Sequence, residues 1–539
     1  MNAIPKSGTG MRQTHFILAV MLGAACLAVS TASAAPPNIV CILCDDLGYG
    51  DVQCLNPQGK IPTPHMDRLA AAGMTFTDAH SGSAVCSPTR YGLLTGRYAW
   101  RSKLKSGVLG GLSPRLIEPD RVTVAAYLKK HGYLTACVGK WHLGMDWVKH
   151  EGKQVTPLGI ETPDQVHNVD YTKPTTNGPN SVGFDRYFGI SASLDMVPYA
   201  FLENDHCTVF PTVDKSFPMM LGRPGQMTRL GPAAPDFEGT DVLPTLTKRA
   251  VATIEEWGSP KAESPFFLYV PLASPHTPIL PTPEWKDKSQ LNPYADFVMQ
   301  TDAAIGEILA AIDRQEIADN TLVIVTSDNG CSPMARYEEL LPLGHNPSHV
   351  FRGHKADIYE GGHRVPFLAR WPGKVAAGTK CEQTMWLGDL VATCAELLGK
   401  KLPDTIGEDS ASLLPALLGK SAPMHEAVVH HSVNGSFAIR SKNWKLVLAP
   451  GSGGWSAPRP GKDDTSTLPL VQLFDLEKDR GETRNLQAEQ PQVVAQLTAL
   501  LEKYVADGRS TPGEPQQNTT PVDIWAAAKQ AHVPLKGAK

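Results

Sequence analysis

This sequence has no large excess of either basic or acidic residues. Across 539 residues, 50 Lys+Arg stand against 54 Asp+Glu, a formal charge of −4. That balance gives no electrostatic ground for nucleic acid or an acidic membrane surface as a partner. Long apolar runs are missing too. After residue 34 no stretch is apolar enough to span a bilayer, which excludes a membrane array. No internal repeat, heptad pattern or glycine-rich nucleotide loop occurs, so solenoid, coiled-coil and P-loop readings fall away. Apolar residues nevertheless reach 42%, too many for a disordered chain. A chain of this length buries roughly three quarters of its unfolded surface.

The first 34 residues read as an export signal, not as part of the fold. Lys6 and Arg12 are its only charges. Phe16 to Val29 is apolar but too short to cross a bilayer, and Ala32-Ser33-Ala34 offers a cleavage site. Pro36 and Pro37 follow at once, which argues against a buried first helix. Cys26 would suit lipidation, but Gly23 stands where such sites usually carry leucine. Export predicts a periplasmic or extracellular protein. Of ten cysteines, nine lie beyond the signal, an odd number that leaves at least one unpaired. Cys41-x-x-Cys44 sits inside a predicted strand with no second such pair, so it reads as core and not as a redox or zinc motif. Cys137, Cys207, Cys331, Cys381 and Cys394 are open to pairing.

The periodicity predicts an α/β fold. Short apolar runs at 38–43, 133–138, 266–270 and 321–326 read as buried parallel strands. Helical stripes fall between them, at 64–72, 122–130, 243–257 and 297–312. Residues 152–226 are rich in Pro, Gly, Asn and Thr, a long irregular stretch of the kind that forms functional loops. After about residue 425 the pattern alternates like antiparallel strands at 437–448 and 470–476, followed by an amphipathic helix at 493–504. From about 508 the chain reads as an extended tail. We therefore expect a signal at 1–34, a catalytic domain at 35–425 and a C-terminal subdomain with its tail at 426–539.

Acids close two remote strands: Asp45-Asp46 after the first, and Asp328-Asn329 after a much later one. In open α/β sheets ligands gather beyond the carboxyl ends of strands. Three carboxylates and an amide oxygen make a hard oxygen set that suits Ca²⁺ or Mg²⁺ over zinc. One such Asp alone would only cap a turn.

The run Cys86-Ser-Pro-Thr-Arg90-Tyr-Gly-Leu-Leu-Thr-Gly-Arg97 resembles the signature of the type I, formylglycine-dependent sulfatases. Further stretches are similar to that family in the same order: Cys-Asp-Asp-Leu-Gly-Tyr-Gly-Asp at 44–51, Gly-Lys-Trp-His-Leu-Gly at 139–144, Ser-Pro-His-Thr-Pro at 274–278, Ser-Asp-Asn-Gly at 327–330, Gly-His-Lys at 353–355 and Glu-Gly-Gly-His-Arg-Val-Pro at 360–366. The resemblance covers roughly residues 37 to 450. It implies an alkaline-phosphatase-like fold: a large mixed, mostly parallel sheet sandwiched by helices, with a smaller C-terminal α+β domain on a short antiparallel sheet. It also implies that Cys86 is oxidised to formylglycine by a formylglycine-generating enzyme. The hydrated aldehyde would attack sulfur, and its second hydroxyl would later expel sulfate.

By the same resemblance, His142 is the base for that expulsion and His276 the acid for the leaving alcohol. Lys140 and Lys355 would hold sulfate oxygens, and Arg90 would orient the hydrate. Asp45, Asp46, Asp328 and Asn329, with position 86, would hold one Ca²⁺ acting as a Lewis acid. His345, His349, His363 and His431 read as core or surface histidines. Asp195 and Tyr199 lie in the irregular stretch, where they could line a pocket. The expected activity is hydrolysis of a sulfate ester, of a sulfated sugar or an aryl sulfate surrogate. Two alternatives stay open: a phosphodiesterase or phosphonate hydrolase of the same superfamily, and a silent binder of sulfated glycans.

Overall fold

In the computed structural model, residues 36–420 and 423–532 are described, and the expected export signal at 1–34 lies outside them. Ten strands form the main sheet: β1 (Asn38–Asp45), β2 (Met74–Phe76), β3 (Leu134–Lys140), β4 (Arg186–Ile190), β5 (Leu202–Glu203), β6 (His206–Cys207), β7 (Phe266–Pro275), β8 (Thr321–Ser327), β9 (Phe367–Arg370) and β10 (Thr379–Cys381). Their spatial order is β10-β2-β9-β8-β1-β7-β3-β4-β5-β6. The five central strands, β8 to β4 in that order, are mutually parallel. β9 runs antiparallel to both β8 and β2, and β5 and β6 close the other edge as antiparallel pairs. Every residue of β1, β7 and β8 is buried, which is why these strands read as continuous apolar runs without alternation.

Helices cover the sheet in two groups. α1 (Pro64–Ala71), α4 (Val242–Trp257) and α5 (Pro293–Arg314) pack together, against β7 and β9. α2 (Cys86–Thr95), α3 (Val124–Lys130) and α6 (Leu390–Leu397) form the second group, with α3 on β3. α5 starts four residues earlier than its apolar stripe. Asn292 caps it by accepting from Ala295 N, and Pro293 fills the first turn, where a missing N–H costs nothing.

Four antiparallel strands make the C-terminal sheet: β11 (Val428–His431), β12 (Phe437–Ser441), β13 (Trp444–Leu448) and β14 (Gln472–Asp475), in sequential order. Helix α7 (Pro491–Ala506) packs on β12 and β13. Among the described residues no helix is long and apolar enough to cross a membrane.

Three expectations need correction. The irregular stretch conceals β4, an inner strand of the parallel sheet; five residues of Arg-Tyr-Phe-Gly-Ile are too few to show a period. The tail is not extended throughout. Ala526–Ala531 is helical and Ile524 is buried among the side chains of the C-terminal sheet, as an alanine-rich segment beside an apolar anchor allows. All nine cysteines of the described chain are free thiols, Cys137, Cys207, Cys331, Cys381 and Cys394 among them.

Candidate active site

Four neighbouring parallel strands end at one edge of the sheet, and each delivers a polar group there. β1 ends at Asp45 and β3 at Lys140. His276 follows β7, and Asp328 follows β8. Consecutive strand residues normally face opposite sides. Asp46 escapes that rule because its φ is +64°: a left-handed residue turns the chain, and Asp45 and Asp46 are both buried at the same place. Asp tolerates this conformation better than most residues. His142, φ +56°, makes the same kind of turn two residues beyond β3.

Cys86 is the first residue of α2, so the positive end of a ten-residue helix faces its side chain. Its Sγ lies 3.6 Å from Asp45 Oδ1. Lys140 Nζ donates to Asp45 Oδ2 at 2.6 Å and to Ser193 Oγ at 3.1 Å. Lys355 Nζ lies 2.7 and 2.8 Å from the two oxygens of Asp46. Arg90 donates to Asp328 Oδ2 from Nε and Nη2, at 3.0 and 2.8 Å, and to Lys140 O from Nη1 at 2.9 Å. Asn329 Nδ2 donates to Asp46 Oδ1 at 2.7 Å. His276 Nε2 is 3.7 Å from Asp46 Oδ2. All ten residues named from the sequence converge, and all are buried. Ligand atoms of Asp45, Asp46, Cys86 and His276 fall within 4.8 Å of one another.

The electrostatics follow from this crowding. Burial works to raise Asp45, but Lys140, His276, Arg90 and Lys355 hold it well below the carboxylate range. Burial and the charge of Asp45 push Asp328 up. Burial works against the Lys355 ammonium, yet Asp46 keeps it firmly protonated. Burial pushes the Cys86 thiol up despite Lys140 and Lys355, so this sulfur is no ready thiolate nucleophile. Burial, with Lys140 and Arg90, holds His142 well below its usual range. His142 is neutral. Its Nε2–H donates to Leu109 O at 2.8 Å, since a carbonyl only accepts. Its Nδ1 is buried without a hydrogen-bond partner.

The donor set fits a hard dication. Asn329 Oδ1 is a buried amide oxygen with no hydrogen-bond partner, and the neighbouring donors are carboxylates. Asp45, Asp46 and Asp328 balance Arg90, Lys140 and Lys355, so a dication would leave the site with the surplus positive charge that an anionic substrate needs. A cavity of about 900 Å³ lies elsewhere, lined in part by Asp78, Arg364, Lys380, Arg440 and Arg480, and none of these ten residues lines it.

A family model described as Sulfatase matches residues 37–400. The chain belongs to the sulfatase family. It is 34% identical over 502 residues to the N-acetylgalactosamine-6-O-sulfatase of Bacteroides thetaiotaomicron, covering 86% of this chain and 92% of that protein. Arylsulfatase A of Homo sapiens is 33% identical over 491 residues, covering 85% of each. A solved structure described with the metabolism of multiple glycosaminoglycans by Bacteroides thetaiotaomicron has a TM-score of 0.73 at 33% identity, over 87% of this chain and 99% of that one. This sulfatase is a sulfuric ester hydrolase.

Sequence reasoning missed Ser193. Its hydroxyl sits between Lys140 and His276, 3.2 Å from His276 Nδ1, and a serine in an aperiodic stretch carries no signal of that. It also missed a second buried cluster of the sulfatase, away from the strand ends. His363 stacks on His430 at 3.9 Å, and His80 Nδ1 lies 3.1 Å from His363 Nδ1. Asp78, Glu360, Arg440 and Lys445 surround the three rings. Among the other histidines read as structural, His345 spends its ring on Lys60 N and Asp51 Oδ1, at 3.1 and 2.9 Å. His431 packs edge-on against Phe437.

Proposed function

We propose that this sulfatase is exported, to the periplasm or the medium, and removes sulfate from carbohydrate esters with a formylglycine made from Cys86 and one Ca²⁺. The observation that carries this reading is the position of Cys86. It starts α2, touches Asp45, and lies in the field of Lys140 and Lys355, with a thiol that burial keeps protonated. Such a setting suits an oxygen nucleophile and an anionic substrate, not a thiolate. With Ca²⁺ held by Asp45, Asp46, Asp328, Asn329 and position 86, and an aldehyde hydrate at 86, the site would gain a Lewis acid and a nucleophile that can also expel sulfate.

The chain's own groups do the rest. Lys140 and Lys355 hold sulfate oxygens and offset charge at the reacting centre. Arg90 braces α2 against Asp328 and against the end of β3, which keeps position 86 in line. His276 Nδ1 points its proton at Thr277 O, so the doubly protonated ring gives up its second proton, from Nε2, to the leaving alcohol. His142 Nδ1, neutral and unpartnered, takes the proton whose loss releases sulfate. The glycan preference draws support from the N-acetylgalactosamine-6-O-sulfatase relative. Residues 35–425 would form the catalytic domain and 426–539 the C-terminal subdomain, and a formylglycine-generating enzyme would mature the chain.

Mass spectrometry of the tryptic fragment holding Cys86, from protein made in its own host, tests the reading. A loss of about 18 Da, thiol to aldehyde, is expected together with sulfate release from a sulfated sugar. An unmodified fragment in fully active protein would sink it. Chelation should abolish turnover and leave the circular dichroism spectrum intact; full turnover in chelator would remove the metal.

A further inference from the structure

Two carboxylate oxygens near the site have no hydrogen-bond partner. Asp195 Oδ1 is one and Glu161 Oε1 the other, and both atoms are buried. An unpaired buried acceptor carries a cost that a bound donor would remove. The residues around them say which donor is missing.

Asp195 stands on the leaving-group side. Ser193, two residues before it, bonds Lys140 and His276, so this segment borders the residue assigned to protonate the departing alcohol. Arg229 Nη1 donates to Asp195 twice, to the backbone oxygen at 3.0 Å and to Oδ2 at 3.1 Å. The pair is partly open, with side-chain exposures of 15% for Asp195 and 36% for Arg229. A guanidinium carries five N–H donors, more than Asp195 uses. Tyr199 fixes the Arg229 loop, its hydroxyl bonding Thr228 Oγ1 at 2.9 Å and Arg229 O. Glu161 reaches the other wall, where its Oε2 accepts from Leu112 N at 3.4 Å. That is the loop whose Leu109 carbonyl holds His142.

An acid with an unpaired oxygen just beneath the surface and a donor fork beside it, both partly open, match neighbouring hydroxyls on a ring. They do not match an apolar alcohol. Burial works to raise the Asp195 carboxyl, but the charges of His276, Arg229, Lys140 and Lys355 hold it below its ordinary range, so it remains an acceptor at neutral pH. Resting on the proposed sulfatase mechanism, we infer that Asp195 and Arg229, with Glu161 beside them, form the subsite that binds free hydroxyls of a sulfated pyranose and so selects sugar sulfates over aryl or steryl ones. Oδ1 of Asp195 accepts from one hydroxyl, and Arg229 donates to a second oxygen of the same ring.

The test compares kcat/KM on N-acetylgalactosamine 6-sulfate, on its deoxy analogues and on 4-nitrophenyl sulfate, for the matured wild type, Asp195→Asn and Asp195→Ala. A site built to bond a hydroxyl discriminates strongly against its loss. Asp195→Ala should lose about 100-fold on the sugar, and the loss should exceed that on 4-nitrophenyl sulfate by at least about 30-fold. One deoxy analogue should show nearly the same rate with wild type and variant, which identifies the hydroxyl. Asp195→Asn keeps the shape and should fall between. Equal losses on sugar and aryl sulfate overturn the subsite, as does a sugar rate that Asp195→Ala leaves within threefold. A wild type that cleaves the aryl sulfate and no sulfated sugar overturns the subsite alone. One that cleaves neither overturns the parent mechanism and the subsite with it.

Discussion

His142 and His276 are one residue type with opposite assignments, and their partners separate them. His142 is 1% exposed, lies in the field of two cations and is kept neutral. His276 is more open, at 7%, and faces the Asp46 carboxylate. An acid matters most when the leaving group is poor. His276→Ala should therefore lose about 100-fold or more on sugar sulfates and far less on 4-nitrophenyl sulfate, whose leaving oxygen needs little help. Steady-state kinetics on both substrates decide it; equal losses would remove the acid role. Asn329 makes a second case. Its amide ties Asp46 through Nδ2 and keeps Oδ1 unspent. Asn329→Leu should weaken calcium binding at least about tenfold, measured by calorimetric titration and without reference to turnover. Unchanged affinity would exclude the amide from the ligand set.

At the scale of elements, the site exists because parallel strands end together. β1, β3, β7 and β8 were legible as apolar runs, since residues buried on both faces need no alternation. Their order was not: β1 lies between β7 and β8, more than two hundred residues further along the chain, and no local pattern encodes that pairing. β4 hid in a loop-like composition. α2 hid for another reason: all ten of its residues are buried, so it has no polar face to give a period. The candidate site was easier to read than the fold around it. Its acids, lysines and histidines sit in compact motifs, whereas Ser193 reaches it from an aperiodic stretch. Close backbone packing holds these ends in place. A Cβ on Gly330 would sit 1.9 Å from Gly361 O, just where Asp328-Asn329 turn away from β8. Gly330→Ala should destabilise by about 1–3 kcal/mol and depress calcium affinity along with turnover. Urea unfolding and metal titration check this, and a variant with normal calcium affinity would show that the Asp328–Asn329 turn tolerates the shift.

Across the whole molecule, buried charge ties the C-terminal sheet to Asp78 and to the short helix Glu360–His363 that precedes β9. Lys445 of β13 bonds Glu360 at 3.1 Å, Glu482 at 2.8 Å and His363 Nε2 at 3.0 Å. Arg440 of β12 bonds Asp78 at 2.6 Å, and His430 of β11 stacks on His363. Such a network adds little net stability against an apolar core, but losing one partner is costly. His430 is the exception, because neither of its ring nitrogens has a hydrogen-bond partner. Burial, then His80 and Lys445, hold it well below the usual histidine range. Above about pH 6.5 it is neutral both folded and unfolded and contributes nothing to the pH slope. Below that, the unfolded chain takes up a proton that the folded one refuses, so stability falls as pH falls. One such group is worth up to about 1.4 kcal/mol per pH unit. His430→Leu removes it, along with two unpaired polar atoms. Urea unfolding between pH 7.5 and 5 should show the variant's slope shallower, by an amount that approaches this limit only towards pH 5, with stability at pH 7.5 equal to wild type or above it. Parallel slopes would mean that His430 accepts its proton in the folded protein; with Arg364 paired to Asp78 and Glu360, three cations already meet the three acids there, and the charged ring would be one buried positive charge too many.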